Sequence, residues 1–188
     1  MVLAASGLEA HPAMIDVSSA RVDQRLTTFA WIAGVSITKH WPSTLVVTVR
    51  ERRPVAVAFD PRHVLRYVDA TGTDLGPAPL RANLPTLEYL GATPSAWPYR
   101  TAGRSAAYVA SQLPRAFGAQ VSAVTEDANG VVGLKMTTPV TFVLGPATQL
   151  RAKFVSIASV IAHSRLSPGD IVDVSVPGSL AVTGRPPS

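Results

Sequence analysis

The run from Trp41 to Ala58, WPSTLVVTVRERRPVAVA, constrains the fold more than any other part of the chain. Pro42 has no amide to donate and biases Trp41 toward extended geometry, so one extended segment ends there. Leu45, Val46, Val47, Thr48 and Val49 suit a pleated surface and predict the next strand. Glu51, Arg52 and Arg53 place charge at its exit, and Pro54 interrupts regular ladder pairing. From Val55 to Phe59 a new apolar strand begins. Strand, charged knot, proline and strand in this order mark a junction between two folding units, to which we assign Trp41, Pro42, Glu51, Arg52 and Pro54.

On the N-terminal side, Asp16 or Ser18 is placed to cap a helix through Val22, Leu26 and Phe29, whose spacing puts them on one face. Ile32 to Lys39 is predicted as a strand and Thr44 to Arg50 as its antiparallel partner, because the connection is too short for a crossover. On the C-terminal side the pattern changes to short strands with turn residues between them. Val64–Val68 and Asp74-Leu75 flank the hairpin signal Asp69-Ala70-Thr71-Gly72. Residues 76–100 hold five prolines and read as loop. Thr101–Phe117 is a predicted helix with Ala106, Val109, Ala110 and Leu113 on one face, and Gly118 stops it.

Val121–Val124 and Val131–Met136 form a hairpin around Asp127-Ala128-Asn129-Gly130. A strand at Thr141–Leu144 ends at Gly145-Pro146. Thr148–Ser164 carries the best helical pattern, with Leu150, Phe154, Ile157, Ala158 and Ile161 on one face and Arg151, Lys153 and His163 elsewhere. Ile171–Val176 and Leu180–Thr183 are the last strands, around Pro177-Gly178. No internal repeat is visible, and the expected class is α+β with a mostly antiparallel, twisted sheet and two helices in the larger part.

With 188 residues and 47% hydrophobic content the chain can bury real cores. Its net charge of +5 raises nucleic acid and anionic membranes as partners. Arg50, Arg52 and Arg53 are its one tight basic cluster, and no aromatics interleave with it for base stacking, so no nucleic-acid partner is expected. A surface beside anionic headgroups would gain from the same charge. The absence of cysteine excludes disulfides and thiolate metal sites. The longest largely apolar segment, Phe154–Ala162, is too short to span a bilayer.

Chemistry-bearing constellations are missing. His11, His40, His63 and His163 lack metal spacing. Asp69-Ala70-Thr71-Gly72-Thr73-Asp74 fails the calcium-loop pattern, which needs glycine at the sixth position and glutamate at the twelfth. Gly145-Pro146-Ala147-Thr148 lacks the glycines and lysine of a phosphate loop, so Thr148 is read as a helix cap. Neither Gly103-Arg104-Ser105 nor Gly178-Ser179 is a nucleophile elbow, and Glu126-Asp127 fits turn chemistry better than acid–base work. The expectation is therefore no enzyme, no cofactor, no metal and no catalytic residue. A binding function has more support at the end of the chain. Ser179–Thr183 is short, uncharged and free of proline, which suits β-augmentation by an added strand. An edge covered by the tail Gly184-Arg185-Pro186-Pro187 is an equal alternative.

The motif order resembles the FtsQ/DivIB family of bacterial cell-division proteins. The run "WP..l.v.v.Er.PvA", with which that family's POTRA domain hands over to a β domain, is matched by Trp41, Pro42, Leu45, Val47, Val49, Glu51, Arg52, Pro54, Val55 and Ala56. Val22, Leu26, Trp31, Ile32 and Val35 precede it in family order. Tyr67-Val68-Asp69 with Gly72, Leu84-Pro85-Thr86-Leu87, Val143-Leu144-Gly145, Lys153 and Gly169–Val174 follow. The resemblance implies an N-terminally truncated POTRA domain at 1–53 and an FtsQ-type β domain at 54–188. It implies that the missing first strand, and part of the first helix, precede Met1 or lie in the first dozen residues. It further implies a single-pass inner-membrane protein with this region extracytoplasmic, acting as a non-enzymatic scaffold for FtsB- and FtsL-like partners. Other divisome membrane proteins would be met through the POTRA domain. By position, the partner-binding residues become Asp173, Val174, Ser175, Val176, Ser179, Leu180, Ala181, Val182 and Thr183. A POTRA-type peptide-binding module of an outer-membrane assembly or secretion protein is the alternative, and a cell-wall hydrolase a more distant one.

Overall fold

A computed structural model describes residues 6–8, 16–91, 103–179 and 181–183. The chain divides into two compact units, Met1–Arg53 and Pro54–Ser188.

In the first unit, helix α1 (Ser19–Leu26) packs on a hairpin of β1 (Ile32–His40) and β2 (Thr44–Glu51). Ser18 caps α1, its Oγ accepting the Arg21 amide at 3.4 Å. The helix stops earlier than the spacing of Phe29 suggested. The Thr27 hydroxyl and amide both return to the Asp23 carbonyl at 2.9 Å, and Phe29 joins the core from the following turn. The hairpin alternates inward and outward, so Val35, Ile37, Leu45, Val47 and Val49 pack against Val17, Val22, Leu26 and Ile32. The outward set leaves Val46 exposed. Lys39 lies along this core and donates from Nζ to the Val17 carbonyl at 2.6 Å, tying the entry of α1 to the hairpin.

The second unit is a nine-stranded sheet in the order β11-β10-β9-β8-β7-β6-β3-β4-β5. Its strands are β3 (Pro54–Phe59), β4 (Leu65–Asp69), β5 (Asp74–Pro77), β6 (Thr86–Tyr89), β7 (Val121–Glu126), β8 (Val132–Met136), β9 (Thr141–Gly145), β10 (Ile171–Asp173) and β11 (Ala181–Thr183). Most pairs are antiparallel, while β3–β6, β6–β7 and β9–β10 run parallel. Among the described residues three helices accompany the sheet: α2 (Arg104–Gln112), α3 (Arg115–Gly118) and α4 (Leu150–His163). The core joins Val124, Leu134, Phe142 and Leu144 of the central strands to Val109 of α2 and Ile157 of α4, all fully buried. Phe117 and Phe154 meet in it with ring centroids 5.9 Å apart.

Several expectations need correction. Thr101–Phe117 is not one helix: α2 ends at Gln112 and Pro114, which cannot donate an amide, opens α3. Residues 101 and 102, and 92–100 of the predicted loop, lie outside the described residues. The 76–91 part of that loop contains β6, set between β3 and β7. Four residues paired in parallel to distant strands show neither a turn partner nor a clean period of two. Pro54 does pair in register with Asp69, with the ladder shifting before Ala56.

Candidate functional site

The site begins where β9 runs out. Gly145 adopts φ +67°, and a Cβ there would come within 2.9 Å of the Ser175 Cβ, so the chain needs glycine to turn this corner so close to the exit of β10. Pro146 and Ala147 lead to Gln149, whose backbone is left-handed at φ 51° and which stands as the N-cap of α4 with no side-chain hydrogen bond. Thr148 therefore does not cap this helix; its amide turns back to the Pro146 carbonyl at 2.7 Å.

The inward stripe of α4 is Leu150, Lys153, Phe154, Ile157 and Val160. The predicted stripe contained Ala158 and Ile161, both of which are exposed, and left out Lys153, which is only 1% exposed. The register of the helix is thus rotated by about one position, and a charged residue occupies the core face. Lys153 manages this because its stem is aliphatic and its Nζ donates to the Pro146 carbonyl at 2.7 Å. Desolvation pushes its ammonium pKa below the ordinary lysine value, and attraction to the Asp173 carboxylate opposes the shift. Charge alone had argued against a core position, so composition gave no signal for this residue.

β10 lies parallel to β9, with Ile171 opposite Thr141 and Asp173 opposite Val143. The predicted strand Ile171–Val176 ends at Asp173, because the Asp173 carboxylate accepts the Ser175 amide at 2.8 Å and bends the chain out. One further ladder bond survives, from the Val174 amide to the Val143 carbonyl at 2.9 Å, and Val174 is fully buried. Ser175 and Val176 leave the sheet, and the Ser179 amide closes the turn on the Val176 carbonyl at 3.1 Å. β11 then pairs back on β10, with Val182 opposite Val172.

The nine partner-binding candidates therefore separate by role. Asp173, Ala181, Val182 and Thr183 are strand residues, Val174 is core, Ser175, Val176 and Ser179 form the turn, and Leu180 lies outside the described residues. Among the described residues β11 has one strand neighbour, β10. Val182 and Val176 are 56% and 61% exposed. An open groove of about 830 Å³ runs alongside, between Pro177-Gly178 of the turn and Leu150, Arg151, Val155 and Ser156 of α4.

The junction candidates also separate. Glu51, Arg52 and Pro54 lie at the boundary between the units, where the Arg52 amide is held by the Trp31 carbonyl at 2.8 Å. Trp41 and Pro42, joined by a cis peptide bond, belong to the β1–β2 turn. The eight residues of β2 place that turn roughly 25 Å of extended chain away from the boundary.

Among the described residues no cluster of histidine, aspartate and glutamate side chains is arranged to hold a metal ion. Asp69 and Asp127, which could suggest ligands, are spent on their own hairpins. Asp69 Oδ1 accepts the Thr71 and Thr73 amides, and Asp127 Oδ1 those of Asn129 and Val131. Glu126 is buried and accepts the Ala106 amide at 2.8 Å, capping α2 from across the fold. No helix among the described residues is long and apolar enough to cross a membrane.

Comparison with known proteins agrees with the motif order. Residues 1–52 match the family described as POTRA domain, FtsQ-type. Over 178 residues, 94% of this chain, the sequence is 29% identical to cell division protein FtsQ of Mycolicibacterium smegmatis, covering 50% of that protein. It is 41% identical over 59 residues to FtsQ of Zymomonas mobilis, 31% of this chain and 18% of the relative. Over 34 residues it is 50% identical to FtsQ of Alcanivorax borkumensis, 18% of this chain and 13% of the relative. The chain thus spans half or less of the length of these curated relatives. The resemblance to the FtsQ/DivIB family and the α+β class are borne out.

Proposed function

We propose that this chain, similar to FtsQ along nearly all its length, is the extracytoplasmic part of a membrane-tethered division protein that works by binding rather than catalysis. Its task is to link early and late components of the division machinery during septal peptidoglycan synthesis. The docking element is the end of the nine-stranded sheet. An FtsB-like segment, in complex with an FtsL-like one, adds a strand beside β11 through main-chain hydrogen bonds. Residues flanking that strand settle into the groove between α4 and the β10–β11 turn. The POTRA-type unit engages other membrane proteins of the same assembly.

The observation that carries this reading is the position of β11 at the terminus of the sheet order, with Val182 exposed beside it. The strand is uncharged and free of proline, and among the described residues it pairs only with β10, which suits the addition of another strand. The test is binding of FtsB–FtsL extracytoplasmic segments, measured by calorimetry, to the native chain, to Val182→Pro and to a chain ending at Pro177. Binding by the native chain with a loss of about tenfold or more in both variants supports the edge as the docking site. Equal binding by all three would sink it.

A further inference from the structure

We infer that Lys153 is the positioning residue that holds the β10–β11 hairpin, and with it the docking edge, in place on the sheet. The inference rests on the edge-docking reading above and assigns that edge its internal support.

Among the described residues, the hairpin meets the rest of the sheet at one strand. β10 pairs with β9 over three residue pairs and the Val174 amide bond to the Val143 carbonyl, and Val172 and Val174 are buried in the core. Beside these contacts stands the corner after β9, where a Cβ on Gly145 would come within 2.9 Å of the Ser175 Cβ. Lys153 reaches this corner from beneath. Its Nζ donates to the Pro146 carbonyl, the first residue past β9, and its charge is attracted at longer range to that of Asp173, the last residue of β10. One side chain therefore ties the helix by a hydrogen bond to the corner, and the corner lies against Ser175 at the exit of β10.

Core filling does not explain a lysine here. A buried ammonium carries a desolvation cost that a methionine of similar length would avoid, while the aliphatic packing would be kept. Lys153 is 1% exposed, and burial lowers its pKa, so part of that cost is borne here. What the ammonium supplies and methionine cannot is a directed bond to a carbonyl and attraction to a carboxylate on a separate strand. Those define where the corner and β10 sit relative to α4. The role is geometric, and Lys153 need not touch the partner.

The test compares Lys153→Met, Lys153→Arg and Asp173→Asn with the native chain. Amide hydrogen exchange and affinity for the FtsB–FtsL segments are read alongside chemical unfolding. In Lys153→Met the Val174 amide and the β10–β11 amides should exchange about tenfold faster while those of Val68 and Val124 are unchanged, and partner affinity should fall about fivefold or more. Lys153→Arg should recover part of both losses, and Asp173→Asn should show the same local acceleration more weakly. Uniform acceleration through the sheet would make Lys153 an ordinary core residue, and unchanged hairpin exchange would overturn the inference outright. If Lys153→Met does not fold, the hairpin exchange of Asp173→Asn decides. If the native chain fails to bind the segments, the docking reading falls, and the exchange contrast still decides the role of Lys153.

Discussion

The two units solve the same problem, covering an apolar sheet with helices, at different scales. Among the described residues the first unit buries four apolar side chains, Val17, Val22, Leu26 and Ile32, and leans on half-buried neighbours for the rest. The second gathers twenty-two into one continuous core. Their helix caps differ in the same sense. α1 is capped by Ser18, its own preceding residue, in an exposed bond of 3.4 Å. α2 follows Gly103, which has no side chain to offer, and receives its cap from Glu126 on β7, twenty residues later and buried. The cap of α1 is local and can form before the fold is complete. That of α2 forms only when β7 and the helix have come together.

Four substitutions test that contrast, in order of expected effect. Phe142→Ala empties the centre of the large core and should cost about 3–5 kcal/mol by urea unfolding, while signals from the first unit stay native. Simultaneous loss of both units would show them to be one cooperative body and break the comparison. Leu26→Ala, fully buried in the small core, should cost about 2–4 kcal/mol of the first unit's stability and leave the second unit's transition unmoved. Glu126→Ala strands the Ala106 amide in the interior and should cost about 1–3 kcal/mol, with Glu126→Gln recovering most of it because an amide oxygen also accepts. Ser18→Ala should cost about 0.5–1 kcal/mol, seen as reduced helicity in the first unit alone. A cost for Ser18→Ala equal to that of Glu126→Ala would remove the distinction between local and tertiary capping.

Lys153 adds a pH dependence of known sign. Its folded-state pKa lies below the ordinary lysine value of 10.5, so in the window between the two the unfolded chain binds more protons. Native stability relative to Lys153→Met should therefore rise as pH climbs through that window, and denaturant midpoints at stepped pH would show it.

Much of this architecture was legible in the residues. Alternation named β1 and β2, and Asp-to-Gly turns named the β4–β5 and β7–β8 hairpins, because these signals are local and the pairings they specify are local too. The failures share a physical cause. β6 exists only through parallel pairing with β3 and β7, which come from distant parts of the chain. Lys153 sits on the inner stripe because the Pro146 carbonyl, outside the helix, accepts its ammonium, and no helical period reports that. The strand predicted to reach Val176 stops at Asp173 because one side chain captures an amide two residues on. At the candidate edge, then, sequence located the segment, and the surrounding contacts drew its outline.

The opposite border of the sheet has a different character. β5 ends in Pro77, which has no amide hydrogen, and the Gly76 amide is already taken by the Asp74 carboxylate at 2.8 Å. A border so poor in donors makes a weak template for strand addition. In the proposed reading, strand addition to this sheet is therefore expected at β11 and not at β5.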